Sequence, residues 1–545
     1  LELVLDVPDG STAVANPFDP AQIDVRVRFT SPTGSDIRVP AFWYEHGQIK
    51  QWRVRFTPTQ VGAWRAMAEL RAPRGSVSVS GPIQFDVRPA PQDALPRGFV
   101  RVHARNPRYL ALAEASGRQH TFLPIGVNLG WWKDDALQDY ARWFDALKAN
   151  GGNTARIWMS AWAFGLEWQD TGLGDYRNRM PRARLLDEVL GMAEQRGIYL
   201  IIVLLNHGAF SERANPEWQR NPYNAKLGGP CQTPAEFASN PTAKKLFKQR
   251  LRYIAARWAY SPNILAWEWW NEVDLTPINT ALLKPWLQEM SAALQEYDPY
   301  DHLTTISYAG DGDPAIWGLP SIDLLQRHEY NAAEAKWFRP VTDLNLLQRI
   351  PTKIGKPFLF GEFGASTAGE GVDPVNRLGI QLHNGLWASV FNGYASTALY
   401  WWWDSLVEPA NLWPHVRGLA NFLRNEDMAV YKPMTATASV PQAVALALAK
   451  NDGALLWLRN RAYNYDLVHS RYLISLSTGE QFKFDLKPLT NVTVTLTGLH
   501  DGIYRVGWFD TLTGAKMREG QATSYAGKLV VVAPVFTSTL AAKLW

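Results

Sequence analysis

The stretch Ile264-Leu-Ala-Trp-Glu-Trp-Trp-Asn-Glu272 decides the reading of this chain. An apolar run of strand length stops abruptly at Asn271–Glu272. Such a run, too continuously apolar for a half-solvated strand, fits a parallel sheet covered by helices on both faces. Outward from it the same kind of run recurs. Thr121–Gly130, Thr154–Ser160 and Tyr199–His207 precede it; Leu303–Gly310, Leu324–Tyr330, Pro357–Gly364 and Ser396–Trp403 follow. Helical patterns fill the gaps. Asp135–Gly151 places Leu137, Tyr140, Phe144 and Leu147 on one stripe and ends in glycine. Ala183–Gly197, Thr242–Ala259 and Asn279–Tyr297 are further helices, the last with Pro285 against its first turns. Strands and helices alternating over residues 98–430 predict a (β/α)8 barrel. An open doubly wound sheet is the alternative, but Gly126-Val-Asn-Leu-Gly-Trp-Trp132 lacks the phosphate-binding glycine pattern.

The flanks have another rhythm. Over residues 1–95, Ile23–Phe29, Trp52–Phe56 and Ile83–Pro89 alternate with period two, which predicts an N-terminal β-sandwich of about seven strands. The proline-containing link Arg88–Gly98 leads into the barrel. Over residues 435–545, Ala454–Asn460, Tyr472–Ser477, Val492–Leu499, Ile503–Asp510 and Lys528–Pro534 read as strands of a C-terminal β-sandwich. The expected fold class is therefore α/β plus all-β, a central barrel between two sandwiches.

Composition narrows the partners. The 545 residues are 46% hydrophobic and 19% charged, as in a folded protein. No apolar run approaches the roughly 20 residues that cross a bilayer, so no membrane partner is expected. The net charge of +4 is scattered and forms no nucleic-acid arm. Cys231, the one cysteine, excludes a disulfide framework and a multi-cysteine metal site. The 25 tryptophans suit a protein that holds sugars, because a flat indole covers the apolar face of a pyranose. The chain opens on the strand-like LELVLDV without a basic-then-apolar leader, and a secreted or periplasmic protein whose leader has been removed is the expectation, with a cytoplasmic one left open.

Two carboxylates carry the chemistry. Glu272 ends the fourth predicted strand, at the catalytic face of a barrel, and its neighbours Trp269 and Trp270 would raise its pKa by desolvation. Glu362 ends the seventh among Gly361 and Gly364, which would let substrate approach closely. Strands four and seven face each other across the mouth, where one carboxyl can act as acid and base and the other as nucleophile. Arg156, His207, Asn271, His328 and Tyr330 cluster at the same strand ends, with Arg156 and Tyr330 suited to an anionic carboxylate and the others to sugar hydroxyls. Glu329 alternates with His328 and Tyr330 and so should face the helices. Glu268, deeper on the strand of Glu272, needs a charged partner such as Arg156. Trp131, Trp132, Trp162, Trp270, Trp402 and Trp403 are the candidate sugar platforms. No P-loop, HExxH or GxSxG occurs, and the histidines form no dense ligand triad, so neither metal nor cofactor is expected.

In this ordered set the chain resembles the retaining glycoside hydrolases with a (β/α)8 barrel, most of all the cellulase- and mannanase-like family 5. The residues that carry the resemblance are Arg156, His207, Asn271–Glu272, His328–Tyr330, Glu362 and a tryptophan ending strand eight. The resemblance implies that Glu272 is the acid/base, Glu362 the nucleophile and Asn271 a ligand of the sugar 2-hydroxyl. It implies a β-glycan of glucan or mannan type as substrate. FWYEHG and FTPTQVGAWRAMAEL resemble the β-domain that precedes the barrel in some bacterial glycoside hydrolases, and the C-terminal region resembles accessory domains of similar enzymes. A barrel that binds carbohydrate without cleaving it is the alternative, separated by turnover. Insertions at Ala209–Asn240 and Asn331–Lys356 could wall off one end of the mouth.

Overall fold

The computed structural model describes residues 1–5, 16–71, 77–89, 98–113, 119–330 and 354–545. Seven strands, β1 (Gly126–Asn128), β2 (Thr154–Trp158), β3 (Tyr199–Val203), β4 (Ile264–Glu268), β5 (Leu303–Ile306), β6 (Leu324–Tyr330) and β7 (Phe358–Gly364), lie parallel in chain order. Tyr400 closes the ring by bridging Val127 on one side and Phe363 on the other. The expected eighth strand, Ser396–Trp403, is thus reduced to single bridges. Its N–H groups lean on β7, Ala395 to Phe358, Leu399 to Phe360 and Trp401 to Phe363, while Thr397 turns to Pro124 on the other side. Every residue of these seven strands is buried, in keeping with their unbroken apolar runs.

The first expected strand, Thr121–Gly130, is two elements. Gln119–Phe122 belongs to a small antiparallel sheet with Phe99–Val102 and Leu110–Ala113, and Gly126–Asn128 alone is β1. Pro124, without an N–H, separates them. The small sheet plugs the base of the barrel, where Val100, Leu110 and Phe122 pack on Tyr199, Leu265, Leu303 and Leu359.

Helices cover the strands. Ala136–Ala149 is capped by Asp135 and buries Tyr140, Trp143, Phe144 and Leu147, while Leu137 of the expected stripe is 40% exposed. Met180–Arg196 ends at left-handed Gly197, and Asn240 caps Pro241–Trp258. Thr280–Tyr297 runs through Pro285 with one backbone bond missing, held by buried Leu283, Trp286 and Leu287. No helix among the described residues is long and apolar enough to cross a membrane.

The N-terminal domain packs a three-stranded sheet (Glu2–Leu5, Ile49–Arg55, Phe42–His46) on a five-stranded one built around Asp24–Thr30 and Gly62–Arg71. Residues 90–97 of the expected link lie outside the described residues. The domain is joined to the barrel through Asp187, which accepts from Arg55 (2.7 Å) and from Arg257 (2.6 Å). The C-terminal domain is one nine-stranded antiparallel sheet, from Lys432–Met434 at one edge to Ala436–Ala438 at the other, with Leu456, Val494, Trp508 and Leu529 in its core. The expected strand Tyr472–Ser477 is instead part of a helix, Tyr465–Thr478, that starts on the Asn464 cap and ends at left-handed Gly479. These end signals outweigh six residues of alternation, whose Leu473, Ile474 and Leu476 lie exposed.

Candidate active site

The side chains at the C-terminal ends of β2, β4, β6 and β7 converge on one buried centre. One oxygen each of Glu272 and Glu362 and a ring nitrogen of His328 lie within 4.8 Å of one another. Arg156, wholly buried on β2, donates through Nη1 to Glu362 Oε1 (2.6 Å), and Tyr330 Oη donates to Glu362 Oε2 (2.7 Å). Arg156 also grips Glu268 through Nε and Nη2, both at 2.7 Å, which is the partner that carboxylate requires. Its Nη2 reaches Asn271 Oδ1 (2.6 Å) and its Nη1 reaches Asn128 Oδ1 (3.2 Å).

Asn271 Nδ2 donates to His207 Nδ1 (2.9 Å). The proton of His207 is therefore on Nε2, which donates to Asn215 Oδ1 (2.9 Å). Asn215 comes from the excursion 208–240, whose short turns enclose Phe210, Trp218, Tyr223 and Phe237. The second expected wall is mostly outside the described residues, which omit 331–353.

His328 Nδ1 lies 2.8 Å from Glu272 Oε1 and 3.4 Å from Glu362 Oε2. Burial opposes ionisation of both carboxyls. For Glu272 the bond and field of His328, with the charge of Arg156, prevail and hold it below the ordinary carboxylate range. For Glu362, burial and the charge of Glu272 prevail over His328, Arg156 and Tyr330 and push it up. In the resting site the expectation of a raised Glu272 is thus reversed, because a donor, rather than Trp269 or Trp270, faces its carboxylate. Glu272, His328 and Glu362 are a ligand-type trio for a cation, but the Arg156 guanidinium already bonded to Glu362 disfavours a second positive charge there.

The tryptophans divide. Trp131 meets Trp158, Trp162, Trp401 and Trp403 edge-on, with centroids 5.2–5.6 Å away. Trp162 is 38% exposed, and Trp131, Trp132, Trp401 and Trp402 are partly so. Trp270 is buried among Phe210, Phe237 and Trp286, outside the strand ring, and is no sugar platform. Trp403 is buried between Trp131 and Trp143 against Gly130 and is none either. The glycines of β7 also serve differently from expectation. A Cβ on Gly361 would lie 2.4 Å from Gln326, and one on Gly364 would lie 2.8 Å from Glu370 and 3.1 Å from Trp402, so both make room for protein side chains. Glu329 pairs with Arg327 (2.7 Å), away from the centre.

The sequence reading missed Asn128, Asn215, Ser307 and Glu370. Asn128 and Ser307 also end apolar strand runs, a position shared with Asn271; Asn215 and Glu370 lie in loops and carry no such signal.

Two carboxyls with oxygens within 4.8 Å of each other across the mouth of such a barrel are the arrangement a retaining glycoside hydrolase uses, whose pair stands about 5–5.5 Å apart. The family follows from comparison: residues 115–406 match the cellulase family (glycosyl hydrolase family 5), and the chain belongs to it. Residues 1–70 match a domain of unknown function, DUF5060. Mannan endo-1,4-beta-mannosidase 2 of Arabidopsis thaliana is 24% identical over 46% of this chain and 67% of its own length. Mannan endo-1,4-beta-mannosidase A of Podospora anserina is 31% identical over 25% of this chain and 34% of its own length. The chain thus spans between a third and two thirds of these relatives. A Bacteroides vulgatus structure assigned to a glycoside hydrolase shares the fold over 100% of this chain and 98% of its own, with a TM-score of 0.64 and 16% identity.

Proposed function

We propose that this protein hydrolyses β-1,4-linked glycans of the mannan type by double displacement, with Glu362 as nucleophile and Glu272 as acid/base. The observation that carries the assignment is the pair of donors on Glu362. Arg156 and Tyr330 stabilise its anion at 2.6 and 2.7 Å, as an attacking carboxylate needs. Glu272 has neither a guanidinium nor a phenol on it and lies between imidazoles, His328 Nδ1 at 2.8 Å and His207 Nδ1 at 3.4 Å. Glu362 attacks the anomeric carbon while the proton of Glu272 passes to the departing oxygen. Glu272 then takes a proton from the water that releases the sugar. The two carboxyls titrate as a pair. His328 Nδ1 stands beside both carboxyls, 2.8 Å from Glu272 Oε1 and 3.4 Å from Glu362 Oε2. Asn271, held by Arg156 and His207, meets the 2-hydroxyl, and Trp401 and Trp402 offer the sugar platform. Mannan is favoured over glucan because the relatives carry that activity in their names.

The test is turnover on β-mannan, glucomannan, cellulose and xylan, with Glu362→Ala alongside. Mannan should be cleaved, and E362A should be inactive until azide is added, giving a glycosyl azide of inverted configuration. Cleavage of cellulose without mannan would move the substrate to glucan. Folded protein inactive on all four, or E362A at the wild-type rate, would overturn the reading.

A further inference from the structure

Beneath the reacting pair, the carboxylate of Glu268 is wholly buried in β4 and cannot reach a substrate. A guanidinium has five N–H donors in a fixed plane. In Arg156 all five are used, two on Glu268 and one each on Glu362, Asn271 and Asn128. The two-point grip on Glu268 sets the plane, and the plane aims the remaining donors at Glu362 and Asn271.

The same carboxylate reaches Glu272 by a second path. Ser307, just beyond β5, donates to Glu268 Oε1 (2.8 Å) and accepts the backbone N–H of Glu272 (3.0 Å). Glu272 stands at φ 49° and ψ 54°, the left-handed region that a β-carbon disfavours. Such a backbone persists only where its surroundings fix it, and Ser307 is the group on its N–H. The hydroxyl has one proton, and of its two acceptors the Glu268 carboxylate at 2.8 Å is nearer and stronger than the Trp270 carbonyl at 3.3 Å.

We propose that Glu268 and Ser307 are positioning residues, one buried brace that orients Arg156 toward Glu362 and fixes the backbone that presents Glu272. The inference rests on the roles proposed for Glu272 and Glu362. If Glu268 merely neutralised Arg156, its bond to Ser307 would have no bearing on acid catalysis. The brace makes a distinct claim, that loosening Ser307 disables the acid before it disables the nucleophile.

Ser307→Ala tests this by leaving-group dependence. Unactivated glycosides need the acid, whose positioning is worth about 10²–10⁴-fold, and S307A should lower their kcat by about 10–100-fold. Release of dinitrophenol from a dinitrophenyl glycoside needs no proton, and its first step should change little. Ser307→Thr, which keeps the hydroxyl, should recover the loss. Glu268→Gln is read by the pH profile of kcat/KM. It removes a negative charge beside the pair, so both carboxyls ionise more easily and both limbs should move to lower pH by about one unit. Where E268Q does not fold, Glu268→Asp keeps the charge but shortens the brace, and should lower kcat with the limbs in place. An equal loss in S307A on activated and unactivated substrates, or no loss on either, would overturn the proposal, as would unmoved limbs in E268Q. Those results alongside azide rescue of E362A would remove the brace alone, whereas failure of the rescue would remove the roles it serves.

Discussion

Tyr330→Phe removes one hydroxyl and nothing else from the centre. Tyr330 Oη donates to Glu362 Oε2 at 2.7 Å, while Arg156 holds Oε1 at 2.6 Å. A hydrogen bond to an ionised group contributes about 1.5–3 kcal/mol net. This one acts on the carboxylate and hardly on the acid form, so its loss raises the pKa of Glu362. At about 1.36 kcal/mol per unit, the rise is about 1–2 units. Burial and Glu272 already push Glu362 up, so the change adds to a constant that is raised rather than one with room below it. The acid limb of kcat/KM reports the loss of ionised nucleophile as pH falls. It should therefore move to higher pH by about 1–2 units. Phe fills the same buried volume, so thermal unfolding should shift little, and that measurement guards against a folding defect. The assay is kcat/KM against pH on a soluble manno-oligosaccharide, wild type beside Y330F. An acid limb at the wild-type position would refute the claim that Tyr330 stabilises an anionic nucleophile.

Three other outcomes are expected. Glu272→Gln should abolish the basic limb and, because the like charge that raises Glu362 is gone, move the acid limb to lower pH; pH profiles with a dinitrophenyl glycoside read both. Glu370, buried where it accepts from Ala365 N–H and Tyr400 Oη, has its pKa pushed up to about 7 by desolvation. A raised carboxyl contributes stability that is full below the unfolded value and lost as pH rises through about 7. Glu370→Gln, a mimic of the protonated form, should therefore match wild type near pH 4 and exceed it by up to about 3 kcal/mol above pH 7 in unfolding experiments. Trp457→Ala should cost about 3–5 kcal/mol of stability while leaving kcat at low temperature unchanged. Trp457 stacks on Trp387 at 6.3 Å and joins the C-terminal sheet to the barrel helix Ile380–Phe391, far from the reacting groups.

The residues of the centre were legible because strand ends are legible. An apolar run that stops at a polar residue places that residue at the mouth of a barrel, and Glu272, His207 and Glu362 announce themselves in this way. The loop residues that complete the centre were not. Asn215 reaches His207 only because the excursion 208–240 folds on its own aromatic core, and Glu370 returns to β7 through bonds to the backbone of Ala365 and Ser366. The helix Tyr465–Thr478 was misread because its period-two pattern reflects a face that stays exposed.

By itself the sequence determined the class of the protein. Unbroken apolar strands alternating with capped helices call for a parallel sheet covered by helices, eight such runs suit a closed ring, and the count sets the two glutamates at opposing strand ends. Tertiary structure decided everything that depends on distance and direction. Period two cannot say that Trp270 turns outward onto Phe210 while Trp131 and Trp401 line the mouth, since each choice depends on which neighbour leaves room. Nor can it say that a donor reaches Glu272 and lowers its pKa, because a pKa is set by groups brought together from the turn after β4 and from β6, 56 residues apart in the chain.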